Sequence, residues 1–463
     1  MEFSINELIE WNKKIEDIIN RIGLDCYQQE FEICSFEDMI SYQAYSGMPA
    51  RYPHWSYGKA YERIKTFYRY NLTGLPYEMV INSNPCLAYL MKNNSLLLQI
   101  LTMAHVYGHN DFFKNNRLFK EGTNADYTLE MFKNHAKRIR EYIFNPGIGY
   151  QKVERVLDTA HALKFQTSKV INEKKLSREE EIKRLQEKHQ SQPKKFQLLI
   201  DEKVQEEPDL DKIPLKPEED ILNFLIEYGD LEDWEKDILQ IVVDETSYFI
   251  PQIESKIMNE GWASYWHYQI LNELKLPQGM HLEFIKRHNQ LISPNERGLS
   301  LNPYYMGYKI FNDIKEKNPE QPEKIFEVRE LERDESFIRK YLTFDLIREM
   351  NLIKYDERRR YYSIAEVADE EGWREIRNTL ASSVGMNKFP TIRVVEFFKS
   401  NNILQLEHEY VGKDLKMDYA TETLKYITEL WGGTVQLKTI ISGESKNLIC
   451  DENKEISVKG IDN

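Results

Sequence analysis

Two histidines four residues apart are the strongest candidates for chemistry in this sequence. His105 and His109 lie in a polar segment, residues 103–116, that continues the apolar run 96–103 and is therefore predicted to be helical. On a helix, side chains at positions i and i+4 share one face about a turn apart. Two imidazoles at this spacing can bind one metal ion, although an HxxxH pair alone is a weak signal.

A carboxylate and a third histidine occur together further along the chain. Glu260 and His267 are seven residues apart, so they share a helix face, and the small residues Ala263 and Ser264 lie between them. Zinc and iron sites often combine two imidazoles from one helix with a carboxylate from another. The sequence therefore predicts a divalent metal site, with zinc as the first choice, whose ligands are His105, His109, Glu260 and His267. The alternative is that Glu260 and His267 form a buried hydrogen-bonded pair in an aromatic-rich helix.

The histidine pair lacks the base of the common zinc peptidases. In the HExxH motif, a glutamate directly after the first histidine activates the metal-bound water. Val106 occupies that position here and cannot accept a proton. Asp111 and Glu260 are the candidate substitutes, but their spacing places neither of them. We therefore expect a zincin-like site with weak or absent peptidase activity.

A second polar cluster, Glu154, Asp158 and His161, also falls on one predicted helix face. It resembles the helices of di-iron bundles only loosely, because aspartate replaces the usual glutamate of the Glu-x-x-His motif. A solvated helix face is the favoured interpretation. The sequence contains no phosphate loop, no GxSxG elbow and no dinucleotide-binding fingerprint.

The composition argues against several classes of protein. Among 463 residues, 62 are Lys or Arg and 76 are Asp or Glu, so the formal net charge is −14 and nucleic acid is an unfavourable partner. No apolar run approaches the ~18 residues of a membrane span, and the first residues do not resemble a secretory signal. Four cysteines without a CxxC pair favour the reducing cytoplasm over a disulfide framework.

Hydrophobic periodicity predicts an α+β protein, with a mainly helical N-terminal domain and a small α+β C-terminal domain. Helices are predicted at 5–23, 86–116, 125–144, 150–165, 234–275, 304–315 and 337–352, and a strand at 77–82. Strand composition recurs near the end of the chain, at 391–395, 403–411, 434–441 and 448–458. A helix at 421–431 interrupts these strands and is closed by Gly432 and Gly433.

The predicted domain organisation follows from a change in composition. Residues 165–220 are rich in Lys, Glu and Gln and contain four prolines, which is typical of a charged variable linker or excursion. Residues 1–164 and 221–354 are then two parts of one helical domain, and residues 355–463 form the small α+β domain.

Several long and unusual blocks make the chain similar to a known family. The segments 54–59 (HWSYGK), 77–86 (YEMVINSNPC), 109–116 (HNDFFKNN), 258–267 (MNEGWASYWH), 301–307 (LNPYYMG) and 336–343 (SFIRKYLT) resemble the SpoVR family, named for stage V sporulation protein R. The similarity extends from about residue 35 to beyond residue 390 and so covers most of the chain. No catalytic residues are assigned by this resemblance.

The resemblance implies a cytoplasmic bacterial protein that is needed for spore cortex formation. It also implies two partners, a serine protein kinase and a protein of the von Willebrand factor A type. Two functions from different classes follow. The first is a sporulation protein that acts through the metal site, and the alternative is a non-enzymatic regulator or scaffold in a kinase-linked sporulation or stress module.

Overall fold

The computed structural model describes residues 3–70, 78–168, 175–191, 209–294, 301–352, 354–358, 361–366 and 371–461. The chain divides into two compact units. The first contains Met1–Glu141 and Ser247–Lys388, and the second contains Tyr142–Thr246 and Phe389–Asn463. The predicted domain limits at 165, 221 and 355 remain predictions.

Helices account for most of the described chain. Their bounds are α1 Ile5–Ile22, α2 Phe36–Ala44, α3 Trp55–Arg69, α4 Leu96–Asn115, α5 Arg117–Gly122, α6 Thr128–Phe144, α7 Tyr150–Leu163, α8 Arg178–Ser191, α9 Ile221–Tyr228, α10 Asp233–Glu254, α11 Lys256–Glu273, α12 Gln278–Leu291, α13 Pro303–Lys317, α14 Lys324–Leu331, α15 Asp334–Tyr341, α16 Phe344–Glu349, α17 Gly372–Ala381 and α18 Met417–Trp431. None of these helices combines the length and apolar character that crossing a membrane requires.

The strands form three sheets. Their bounds are β1 Gln29–Cys34, β2 Glu78–Ile81, β3 Cys86–Met91, β4 Lys354–Arg358, β5 Tyr361–Glu366, β6 Ile392–Phe398, β7 Ile403–His408, β8 Val435–Ile441, β9 Glu444–Cys450 and β10 Ile456–Gly460. In the first unit, β3 lies between a parallel β1 and an antiparallel β2, and β4 pairs with β5.

The second unit contains a five-stranded sheet in the order β10-β9-β8-β7-β6. Its pairs are antiparallel except for β7 and β8, which are parallel and are connected through α18. Gly432 ends α18 with a positive φ of 71°, a left-handed conformation that glycine adopts without a Cβ clash. The helical first part of the chain and this small C-terminal sheet confirm the predicted α+β class.

Three predicted elements differ from the structure. Residues 86–91 were expected in a helix but form β3, because pairing on both sides with β1 and β2 outweighs a short apolar run that suits either conformation. The apolar region 234–275 is two helices, since Ser255 leaves helical geometry between α10 and α11. The predicted strand 448–458 is β9 and β10, joined by a turn in which the Asp451 carboxylate accepts two backbone N–H groups.

The core of the first unit is built around α4, α11 and α13. Helices α4 and α11 are buried on nearly all sides, as expected for helices that lack a polar face. Helices α11 and α13 touch through their backbones at Gly261 and Gly307. A Cβ on Gly307 would lie 2.1 Å from the Ile257 carbonyl oxygen, so only glycine permits this approach. The N-terminus of α11 is fixed by Asp334, whose carboxylate accepts the backbone N–H groups of Ile257 and Met258.

Trypsin is expected to cut first within residues 165–220. Residues 169–174 and 192–208 lie outside the described part of the chain, but α8 is described, and none of its described side chains is fully buried. Arg178, Lys183, Arg184 and Lys188 supply cleavage sites there. Limited digestion followed by mass spectrometry should show these cuts before any other. First cuts between residues 60 and 145 would contradict this expectation.

Candidate metal centre

Helix α4 brings His105 and His109 into the core. Ser95 begins the helix by accepting the Leu98 N–H with its side chain, and the residues from Leu96 to Ala104 are mainly apolar. The i and i+4 spacing then places both imidazoles on the same face, where they are 2% and 4% exposed, and the two ring centroids are 4.7 Å apart.

Gly108, between the two histidines, sets the distance between α4 and α11. A Cβ on Gly108 would lie 2.6 Å from Ala263 Cα, so the two helix backbones are in direct contact at this point. The small residues of α11 were noted in the sequence, but Gly108 of α4 was not recognised as their contact. A glycine in the interior of a helix costs about 1 kcal/mol relative to alanine. A glycine inside a predicted helix therefore suggests a close packing contact, and this is the signal in the sequence that could have identified Gly108.

Glu260 on α11 faces both imidazoles. Its Oε2 lies 3.5 Å from His109 Nε2 and 3.9 Å from His105 Nε2, and ligand atoms of the three residues all lie within 4.8 Å of one another. Two ligand atoms bound at ~2.1 Å to a tetrahedral zinc ion stand roughly 3.4 Å apart. The two distances from Glu260 are therefore close to that spacing, and the third pair of ligand atoms lies within 4.8 Å.

The hydrogen bond of His109 fixes which ring nitrogen faces Glu260. Asn259 Oδ1 lies 2.9 Å from His109 Nδ1 and, as an amide oxygen, can only accept, so Nδ1 carries the proton. Burial, together with the nearby His105, lowers the pKa of His109 to about 4, and the ring is neutral at pH 7. His109 Nε2 therefore presents a lone pair towards the Glu260 carboxylate.

The Glu260 carboxylate is charged, and its Oε2 faces the Nε2 atoms of both imidazoles. Burial by itself raises the pKa of Glu260, but the imidazoles of His105 and His109 outweigh burial and hold the pKa below its usual value. Its Oε2 is buried and has no hydrogen-bond partner in the described part of the chain. A carboxylate oxygen opposite a neutral imidazole lone pair at 3.5 Å is unfavourable unless a cation lies between them. The donor set thus fits a divalent ion.

His267, the fourth predicted ligand, lies on the other side of His105. Its Nδ1 is 2.9 Å from His105 Nδ1, the ring nitrogen that does not face Glu260, and its Nε2 is 2.8 Å from Nδ1 of His288 on α12. His267 is therefore outside the converging set of His105, His109 and Glu260. The sequence prediction missed His288, because no spacing relates α12 to the other helices.

Burial keeps these additional histidines neutral. It lowers the pKa of His267 well below its ordinary value, with His105 and His288 as further causes. It also lowers the pKa of His288 to about 4, with His105 contributing. Each ring therefore carries a single N–H at pH 7.

Asp111 does not replace the missing base. Its two carboxylate oxygens accept hydrogen bonds from the Asp25 backbone N–H and from Trp262 Nε1, both at 2.8 Å, and Arg329 lies 3.6 Å away. Two residues beyond His109, it lies about 200° round the helix from that imidazole. Val106 is fully buried. Among the described residues, Glu260 is the carboxylate of the site.

The helix-face cluster of α7 does not form a comparable site in the described part of the chain. Glu154 accepts a hydrogen bond from the Tyr150 hydroxyl at 2.6 Å, and neither Glu154, Asp158 nor His161 belongs to a group of three potential ligands. The four cysteines are free, with Cys26 partly buried and the other three buried.

Comparison with known proteins identifies the family. The family described as "SpoVR like protein" matches residues 2–389, and the "SpoVR-like C-terminal domain" matches residues 390–442. A relative in Escherichia coli (strain K12), described as uncharacterized protein YcgB, is 33% identical over 467 aligned positions, which cover 92% of this chain and 90% of the relative. No solved structure matches the chain significantly. Because the first match alone spans more than half of its length, the chain belongs to the SpoVR family.

Proposed function

We propose that this chain binds a divalent metal ion, zinc as the first choice, through His105, His109 and Glu260. The observation that carries the proposal is the charged oxygen of Glu260 opposite the lone pair of His109 at 3.5 Å, with His105 beside them. Deprotonated histidines and an ionised carboxylate are the states that metal binding requires. Membership of the SpoVR family associates the chain with sporulation, and we propose that it acts in the cytoplasm in spore cortex formation.

The chemistry of this centre would be limited by its missing base. Two imidazoles and a carboxylate would leave a fourth position for water, as in catalytic zinc sites. Bound zinc lowers the pKa of such a water to about 7. Glu260 would be a metal ligand, Val106 cannot accept a proton, and the Asp111 carboxylate accepts a hydrogen bond from Trp262. We therefore expect little turnover of generic peptides.

His105→Ala is expected to remove bound zinc and sporulation function together. Inductively coupled plasma mass spectrometry on the purified variant measures the metal, and a sporulation assay in a complemented deletion strain measures the function. The change also leaves His267 Nδ1 without its partner in the core, at a cost of about 1–3 kcal/mol, so a thermal melt must show that the variant is folded. His281→Ala, on the half-buried His281 of α12, is the control and should change neither property. Unchanged zinc content in His105→Ala, or chelator-sensitive casein hydrolysis by the wild type, would contradict the proposal.

The zinc affinity should depend weakly on pH. At an ordinary imidazole, with a pKa of about 6.5, protons compete with zinc for the ring nitrogen as the pH falls below that value. The His109 pKa of about 4 removes that competition until the pH approaches 4. Between about pH 6 and about pH 5, the logarithm of the zinc affinity should therefore fall by at most one unit per pH unit. Competition with a chromophoric chelator measures this slope. A slope of two would mean that the pKa of His109 is not lowered.

The alternative is a non-enzymatic regulator or scaffold that works with a serine protein kinase and a partner of the von Willebrand factor A type. The absence of a separate base favours this alternative: Val106 cannot accept a proton, and Asp111 is hydrogen-bonded to Trp262. A metal could then serve a structural purpose. Tight binding of a purified partner by zinc-free and zinc-loaded protein alike would favour this alternative.

A further inference from the structure

Three imidazoles form a continuous hydrogen-bonded row that ends at the candidate metal centre. His288 Nδ1 lies 2.8 Å from His267 Nε2, and His267 Nδ1 lies 2.9 Å from His105 Nδ1. The remaining nitrogen of His105, Nε2, faces Glu260. His267 is fully buried, and both of its ring nitrogens face other histidines. Each contact joins two ring nitrogens, so in each contact one nitrogen must donate and the other must accept.

A metal ion at His105 would fix the direction of every hydrogen bond in the row. Binding through Nε2 needs a lone pair there, so the His105 proton must lie on Nδ1, which then donates to His267 Nδ1. His267 must therefore carry its proton on Nε2 and donate to His288 Nδ1. The proton of His288 is left on its own Nε2. Three neutral rings thus carry three protons in one defined order.

Without a metal ion, the charged Glu260 favours the opposite order. His105 Nε2–H would point towards the carboxylate, His267 would donate from Nδ1 to His105, and His288 would donate from Nδ1 to His267. Changing from this order to the metal-bound order releases one proton from His105 Nε2, moves two along the row and takes up one at His288 Nε2.

The far end of the row is not fixed by the protein. His288 Nε2 is buried and has no hydrogen-bond partner in the described part of the chain. The His288 ring is held in place by the rings of Tyr268 and Tyr308, whose centroids lie 4.6 and 5.1 Å from its own. The position of the row is therefore rigid, while its direction can be set from the metal end.

We propose that His267 and His288 are positioning residues that present the Nε2 lone pair of His105 to the metal ion, and that metal binding reverses the direction of the row. This inference rests on the proposed metal function. Groups that hydrogen-bond the second nitrogen of a ligating histidine fix its tautomer and orientation, and their loss typically lowers metal affinity about 10–100-fold. The row would extend that effect over two further residues.

Ring tautomers provide the direct test. Nitrogen-15 NMR of protein labelled at histidine distinguishes protonated from bare ring nitrogens, and single substitutions assign the signals. Addition of zinc to the metal-free protein should move the proton of His105 from Nε2 to Nδ1. It should also move the protons of His267 and His288 from Nδ1 to Nε2. Zinc binding with the tautomers of His267 and His288 unchanged would overturn the inference.

Substitutions provide the second test, with zinc itself as the probe. His267→Leu should weaken zinc binding about 10–100-fold, and His267→Gln, which can still accept from His105, should restore most of the affinity. His281→Leu on the same helix as His288 is the control and should leave the affinity unchanged. If His267→Leu does not fold, His288→Leu and His288→Gln replace the pair, with a smaller loss expected for His288→Gln.

The outcomes separate the two proposals. If the wild-type protein binds no zinc, both the metal function and this inference fail. If it binds zinc, and His267→Leu and His288→Leu bind it as tightly as the wild type, the metal function stands and the positioning role fails. Equal losses in the leucine and glutamine variants would indicate that only packing was disturbed, which also contradicts the positioning role.

Discussion

Glu260→Gln is expected to change zinc binding and metal-free stability in opposite directions. The variant loses the anionic ligand, so zinc affinity should fall by more than the ~100-fold typical of changes outside the ligand set. In the metal-free protein, the new amide N–H can donate to the lone pair of His109 Nε2, 3.5 Å from the present Oε2. One added hydrogen bond should raise the free energy of unfolding by about 1 kcal/mol. Zinc titration and chemical denaturation measure the two effects.

A matched control exists on the same helix. Glu273, at the end of α11, is exposed and pairs with Arg21, so Glu273→Gln should leave zinc affinity unchanged and cost at most about 1 kcal/mol. A metal-free Glu260→Gln protein that is less stable than the wild type would show that the carboxylate is needed by the fold itself. Unchanged zinc affinity would remove Glu260 from the ligand set.

Gly108→Ala is expected to separate the two helices that build the centre. The new Cβ would lie 2.6 Å from Ala263 Cα, closer than any real contact, so α4 must move away from α11. Overpacking of this kind costs about 1–3 kcal/mol, because backbone cannot yield as a flexible side chain can. The same movement takes His105 and His109 away from Glu260, so zinc affinity should fall as well. Thermal unfolding and zinc titration check the two effects.

Gly58→Ala is the control for that substitution. Gly58 lies within α3, and a Cβ there would meet nothing within 4 Å. Alanine should therefore stabilise that helix by about 0.5–1 kcal/mol through its higher propensity. If Gly108→Ala had the same small, favourable effect, the close contact between α4 and α11 would be wrong, and with it the position of Glu260.

The sequence predicts best those features that depend on local periodicity. The shared face of His105 and His109 follows from the 3.6-residue repeat alone, and α1, α7 and α18 were predicted within a few residues for the same reason. Residues 86–91, which were predicted to be helical but form β3, show where local periodicity is not sufficient. A short apolar run suits either a helix or a buried strand, and only its partners β1 and β2 decide between them.

The parts of the site that depend on tertiary contacts were harder to predict from the sequence. Small residues beside Glu260 indicated a close helix neighbour, but no pattern identified Gly108 as the point of contact. His267 was grouped with the ligands because it shares a helix face with Glu260. That face is wide enough for the carboxylate to reach one nitrogen of His105 and for His267 to reach the other. The spacing of residues along one helix does not distinguish these two positions.

Anomalous diffraction at the zinc absorption edge, from crystals of the zinc-loaded protein, tests the central claim most directly. We expect one strong peak between α4 and α11, about 2.0–2.2 Å from His105 Nε2, His109 Nε2 and an oxygen of Glu260. His267 should lie outside the ligand set, with its hydrogen bond to His105 retained. A crystal of zinc-loaded protein with no peak there, or with its peak at other residues, would contradict the account.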